Sequence, residues 1–460
     1  MIKRYTKSPI GEDWLDHKKY KYWVDSCCAV LYGQWQEGEI GDKIYYTLLK
    51  NPDFDLARVE ELDKKFKQDA QALIESVKEY MRAQGLCDEI IAHFGNRITS
   101  YDMEDPALVR LILDSVRTIT LELENLIGVF RNRAREHKTT QCLAITHGQP
   151  AGIIYLGIRF CSYINALERD LKRISQAIAL LSVGKFSGAF GIYDELDPVI
   201  EELGCAFLGL ETPEINSQII HRDRHAGVMS ALIILACNLE HIAHNLWQMC
   251  QFPRNEAREY FDPFNQRGST AMPHKKNPWQ LERIRGMAGI MRGYIVPALE
   301  NIRTWDERSM DGSSVERVIW PDATTLVHFM LISLREIFSK MEFFPEIMQE
   351  NIDRLNGVYA AQYIKNELRE QGIANLLFDR GEAYTFESTY DWVKWCALTS
   401  WDYKQNKSIK PFIKVLSEQG IFSVLNNHIV KRCFDPAYIL RNTETIYERF
   451  GLGEGTCLHG

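Results

Sequence analysis

Five long segments, following one another through the middle of the chain, carry apolar residues at helical spacing. From 108 to 130, Leu108, Ile112, Val116, Ile119, Leu123, Leu126 and Phe130 step by four and three, which draws one continuous stripe along a helix. The segments 153–183, 226–252, 279–302 and 323–348 read the same way. Each runs roughly 24 to 31 residues, against a mean helix of about 11 or 12. Five such helices in succession bury their stripes against one another, so the spacing predicts a bundle. Alternating runs rich in Val, Ile and Thr are absent from the sequence, which argues against a sheet-based fold. The run LIILACNL (232–239) is apolar on several faces. A helix of that kind is buried on all sides, which predicts that bundles of different subunits pack together.

The ends have a different texture. Residues 1–105 read as shorter helices broken at Pro9, Gly11, Gly33, Gly38, Pro52 and Gly85, and residues 356–460 as another such set broken at Gly357, Gly372, Gly381 and Gly420. The expected organisation is all-α in three helical domains: 1–105, a central bundle at 106–355, and 356–460.

Composition narrows the function classes. Lys and Arg total 54 against 62 Asp and Glu, for a net charge of −8. That balance excludes a general nucleic-acid binder but leaves room for a local basic pocket. The longest stretch without a charged residue, 139–158, holds Thr146, His147, Gln149 and Pro150, too polar for a membrane span. The start, MIKRYTKSPIGEDW, lacks the apolar core of a signal peptide. The ending Cys457-Leu458-His459-Gly460 does not fit a prenylation box. The 11 cysteines are scattered without metal-site spacing and read as small buried hydrophobes, which predicts a cytoplasmic protein with no metal site.

Three polar interruptions between the long helices are the candidate chemistry. In Ala144–Ala151 (AITHGQPA), His147 sits among turn formers, either as part of a capping turn or as a proton-transfer group. The loop 265–278 packs Gly268, Ser269, Lys275 and Asn277 between long helices, either as a solvated basic turn or as a carboxylate-binding loop. The segment 303–317 holds three arginines, Arg303, Arg308 and Arg317, with Ser309, Ser313 and Ser314. It reads as an anion site, as a helix start with Ser313 and Glu316 forming a capping box, or as both.

The run from Gly268 to Pro278, GSTAMPHKKNP, resembles the signature loop GSSxMPxKxNP of the fumarase/aspartase superfamily. Further blocks resemble its adenylosuccinate lyase branch: MIKRY at the start, Thr99-Ser100-Tyr101-Asp102, THGQPA around His147, KFSGAFG from Lys185, Ser217-Gln218 through Arg224, and Ser313-Ser314-Val315-Glu316-Arg317. Arg380, Ala383 and Tyr384 extend the likeness more loosely.

The resemblance implies a homotetramer with a twenty-helix core and active sites composed from three subunits. It implies β-elimination of fumarate from adenylosuccinate and from the succinyl-carboxamide intermediate of purine synthesis, a small anionic substrate, and no cofactor. Ser269 would be the base and His147 the acid, while Lys275 and Asn277 would hold the carboxylate that gains charge. Thr99, Ser100 and Gln218 would hold the succinyl carboxylates. Arg4, Tyr5, Arg308, Ser313 and Arg317 would hold the phosphate. Gln68, with Asp69 after it, stands where the family has a substrate-contacting His. Gly312 replaces another His, and two extra residues fall around Asn96-Arg97. These departures keep two alternatives open: a fumarate-releasing lyase for another N-substituted aspartate or a nitrosuccinate-type compound, and a non-catalytic structural relative.

Overall fold

The computed structural model describes residues 2–50, 52–373, 388–402 and 407–453. Met1, Arg380, Ala383, Tyr384 and the Cys457 ending lie outside the described residues. The main helices are α1 (Asp16–Gln36), α2 (Asp69–Ala83), α3 (Ser100–Glu136), α4 (Leu156–Leu181), α5 (Arg222–Met249), α6 (Trp279–Gly293) and α7 (Asp311–Lys340). Between α3 and α4 lies an antiparallel hairpin, β1 (Gln141–Thr146) and β2 (Gln149–Tyr155). The chain is all-α apart from this hairpin and two still shorter two-stranded ribbons among the described residues. Two compact units form. One holds the chain up to Leu126 with Leu167–Ala243 and Glu282–Arg335. The other holds Ile127–Ala166, His244–Leu281 and the chain from Glu336 onward.

The predicted stripe of α3 is buried from Ile112 through Phe130, while Leu108 is half-buried and lines a cavity. An N-terminal core gathers Trp23, Val24, Leu31, Leu73, Val77 and Phe94. A separate C-terminal core gathers Ile364, Trp392, Phe412 and Val430. Helix α5 is long and apolar enough to cross a membrane, and 61% of its most apolar window is buried within the protein.

Several expected boundaries moved. The helix expected from 153 begins at Leu156, because the residues before it pair in the hairpin. The segment 279–302 divides at Tyr294 into α6 and a short helix, Ile295–Glu300. The last long helix starts at Asp311 and stops at Lys340, and Pro345 opens a new one, Pro345–Asp353, where its fixed φ suits a first turn. The capping box at Ser313 is not formed: Ser313 lies inside α7, and the Glu316 carboxylate is buried on Arg222. The run 232–239 is not enclosed within one chain, since Ile234 is 42% exposed.

Candidate active site

In the second unit, the hairpin presents His147. Thr146 pairs with Gln149, so the connection has two residues, His147 and Gly148, with φ of 52° and 72°. Positive φ at both central positions is what a type I′ turn requires. Histidine tolerates this region better than most residues, and glycine adopts it freely. The hairpin is anchored through Leu143 and Ile153 against Ile352, Leu355 and Leu440, and His147 stands exposed at its tip.

The signature loop belongs to the same unit and folds back on itself. Asn277 Nδ2 donates to the Gly268 carbonyl at 3.2 Å. A Cβ on Gly268 would fall 2.1 Å from the Lys275 carbonyl oxygen, so only glycine permits this approach. Ser269 Oγ accepts the Met272 N–H at 3.1 Å, and the Lys275 N–H bonds the Met272 carbonyl at 3.0 Å. The fold thus draws Ser269, Lys275 and Asn277 into one small loop. Its flanks are fixed by two acids. Asp262 accepts from Asn265 Nδ2 and from the Phe264 and Asn265 N–H groups, which hold its carboxyl below the usual range. Buried Glu259 accepts the Leu281 N–H at 2.8 Å, on the first turn of α6, where a helix favours an anion.

In the first unit, residues far apart in sequence line one cavity: Gln68, Asp69, Ser100, Arg308, Ser313 and Arg317, joined by Glu104. Arg317 reaches Asp69 at 2.7 Å. The Arg308 guanidinium stacks on Tyr101, its carbon 3.7 Å from the ring centroid, and donates to Gln218 Oε1 at 2.9 Å and to Ser100 Oγ at 3.5 Å. Gln218 in turn donates to the Ala189 carbonyl at 3.0 Å, which ties the KFSGAFG turn to this arginine. Gly191 of that turn has φ of 74°, and a Cβ there would meet the Asn216 oxygen at 2.0 Å.

Arg4 and Tyr5 are not part of this cavity. Arg4 is exposed, and the Tyr5 ring lies edge-on to Phe329, 5.1 Å between centroids. Phe329 is twelve residues beyond Arg317 on α7, roughly 18 Å along the helix. Gln68 is exposed, and its side chain caps α2 by accepting the Gln71 N–H at 2.7 Å. Thr99 donates its N–H to Asp102 at 2.8 Å, which fixes the start of α3 beside Ser100.

Three supporting groups carry no individual role in the sequence reading. Buried Lys185 bonds Asp102 and the Gly188 carbonyl; burial pushes the Asp102 carboxyl up and Lys185 pulls it back. Arg222, also buried, holds Asp105 at 2.7 and 3.0 Å and Glu316 at 2.6 and 3.1 Å, and so pins α5 to α3 and α7. Glu104 is the third. Burial, aided by Asp69, pushes its carboxyl up to about 8. The signal for Lys185 was there: it lies in a largely apolar run, and a lone cation in such a run needs a buried anion, whereas Arg222 sits among charged residues that mask its role.

A family model described as lyase matches residues 47–293. The chain is 32% identical to adenylosuccinate lyase of Bacillus subtilis (strain 168) over 453 residues, 98% of this chain and 100% of that protein. It is 33% identical to adenylosuccinate lyase of Synechocystis sp. over 452 residues, with 98% and 100% covered. Among solved structures it resembles the 3-carboxy-cis,cis-muconate lactonizing enzyme of Pseudomonas putida, with a TM-score of 0.81, 21% identity, and 97% and 96% of the two chains covered. It also resembles fumarate lyase of Mesorhizobium sp. BNC1, with a TM-score of 0.82, 18% identity, and 98% and 99% covered. These two likenesses carry the fold; the curated relatives carry more, and by them the chain belongs to the adenylosuccinate lyase family of the fumarase/aspartase superfamily.

Proposed function

We propose that the chain is a carbon–nitrogen lyase that releases fumarate from adenylosuccinate and from the succinyl-carboxamide intermediate of purine synthesis. Ser269 takes the proton from the carbon beside a carboxylate. The electron pair left behind forms the C=C bond of fumarate as the C–N bond breaks, and His147 supplies a proton to the departing nitrogen. A serine is a weak base, so its alkoxide needs support. The Met272 N–H already points at Ser269 Oγ, and a hydrogen bond of that kind favours the charged form. Lys275 and Asn277 hold the carboxylate as it gains charge. Thr99, Ser100 and Gln218 hold the succinyl group, and Arg308, Ser313 and Arg317 hold the phosphate, with Arg4 and Tyr5 completing that site from another copy.

The observation that carries this reading is the shared cavity. Gln68, Asp69, Ser100, Arg308, Ser313 and Arg317 come from three separate stretches of chain and line one space, which Lys67 also lines. The enzyme would work as a homotetramer in the cytoplasm, with sites composed from different copies. Large apolar side chains left exposed on the long helices, among them Leu121, Leu180, Ile234 and Ile290, support that assembly. Separate N-terminal and C-terminal cores support the division at about 105 and 355.

A second reading has its own observation. Gln68 uses its amide oxygen to cap α2, and Gly312 has no side chain, so two histidines of the family pattern have no counterpart. A fumarate-releasing lyase for another N-substituted aspartate or a nitrosuccinate-type compound would tolerate both changes. Fumarate release, followed across adenylosuccinate and other aspartate-derived substrates, decides between the two. Turnover of adenylosuccinate supports the first reading, and turnover of another substrate alone replaces it with the second. Release from none would leave a non-catalytic relative.

A further inference from the structure

The first two turns of α3 carry three acids, Asp102, Glu104 and Asp105, and two of them have a cation of their own. Asp102 is bonded by Lys185 and Asp105 by Arg222. The Glu104 carboxyl accepts no hydrogen bond among the described residues. Its one ion pair among them is to Arg317 at 4.0 Å, and that guanidinium is already held by Asp69 at 2.7 Å. The side chain is 14% exposed and stands in the wall between two cavities. One is the anion pocket already described. The other has Trp14, Trp23, Leu108 and Pro321 in a mixed wall and shares Arg317 with the first, so the carboxyl has apolar neighbours on one side and Arg308 on the other.

We propose that Glu104 serves the anion pocket as an uncharged hydrogen-bond donor to the bound phosphate monoester, and that loss of its proton closes the pocket to that ligand. This deepens the reading above and rests on its phosphate site.

The charges around the pocket explain why one proton matters. Lys67, Arg308 and Arg317 line it with three positive charges, against two from Asp63 and Asp69. With Glu104 neutral, a positive surplus faces the anion. With Glu104 ionised, the surplus is gone and a carboxylate faces the phosphate oxygens. The groups facing Glu104 from each neighbouring element push both ways. Asp105 on its own helix and Asp69 on α2 oppose ionisation, and Arg317 on α7 and Arg308 in the preceding loop favour it. Tyr101 titrates near 12, and Glu316 is bound by Arg222. Asp16 and Lys19 of α1 line the apolar cavity and form an ion pair with each other at 2.9 Å. Burial decides the balance and holds the carboxyl near 8, so the proton is present at neutral pH and is lost as the pH rises through that value.

The test is calorimetric binding of adenosine monophosphate to the intact assembly from pH 7.5 to 9.5. A phosphate monoester has completed its second ionisation, near pH 6, before this range begins. Parent affinity should fall roughly 25-fold across the range, the change expected for one group titrating near 8. E104Q keeps a donor that cannot ionise, and its affinity should change less than about threefold. A flat parent profile overturns the proposal by itself, whether or not E104Q folds. An equal fall in parent and E104Q also overturns it, as does failure to bind adenosine monophosphate at any pH. Fumarate release is scored separately. Binding with the expected pH dependence but no fumarate supports the Glu104 role and sinks the reaction; turnover with pH-independent binding does the reverse.

Discussion

Arg222→Met tests the device that aligns the anion pocket. The guanidinium makes five hydrogen bonds: two to Asp105, two to Glu316 and one to the Ile220 carbonyl. Counting each at about 1.5–3 kcal/mol overshoots, because the parent already bears the cost of burying the charge. The better measure is the cost of leaving buried carboxylates without their cation, about 3–5 kcal/mol. At about 2–4 °C per kcal/mol for a unit of this size, that is roughly 6–20 °C of melting temperature at fixed protein concentration. The loss depends on pH, and its sign follows from the carboxyls. Burial holds Glu316 above its ordinary range even with Arg222 present. Without Arg222, which pulls it down, the buried Glu316 carboxyl binds its proton still more tightly in the folded state than in the unfolded one. Lowering the pH therefore favours the folded variant, and the deficit should be smaller at pH 5.5 than at pH 8. Because Asp105 also accepts the Ile220 N–H at 2.6 Å, two residues after Gln218, affinity for adenosine monophosphate should fall as well. A melting temperature within about 2 °C of the parent, or a deficit that does not change with pH, would refute the reasoning.

Other substitutions read other parts. Ser269→Ala should lower kcat by a factor on the order of 10²–10⁴ while gel filtration shows the same assembly; unchanged turnover removes Ser269 as the base. Gly268→Ala places a methyl 2.1 Å from the Lys275 oxygen and should cost about 100-fold in kcat/KM with little change in melting temperature, since the loop is displaced and the cores are not. Gly191→Ala meets the Asn216 oxygen at 2.0 Å with a φ of 74°, and should destabilise the first unit by about 2–3 kcal/mol in a thermal melt.

The long helices were legible because their stripes repeat over many turns, and the buried face of α3 is the one its spacing drew. Their ends were less so, and each for a local reason. The hairpin 141–155 uses His147-Gly148 at its turn, a weaker signal than Asn-Gly, and its strands do not alternate cleanly, since Gly152 and Pro150 interrupt β2. The break at Tyr294 follows Gly293 and precedes Pro297, which has no N–H to give the Gly293 carbonyl four residues back; the apolar spacing alone runs on through it. The loop chemistry was legible because Gly268, Ser269, Lys275 and Asn277 act within ten residues of each other, where spacing is nearly geometry.

Glu104 was not legible, and the reason is physical. Three acids at 102, 104 and 105 look equivalent in sequence. Only the fold assigns Lys185, 83 residues away, to the first and Arg222, 117 residues away, to the third. What distinguishes Glu104 is that its nearest cation, Arg317, is already held more closely by Asp69, and a shared partner is a property of the whole surroundings. Motif reading recovers groups that act through what they carry. Groups that act through a shifted proton are set by desolvation and by every charge nearby, so they come into view only once the packing of α3 against α2 and α7 is known.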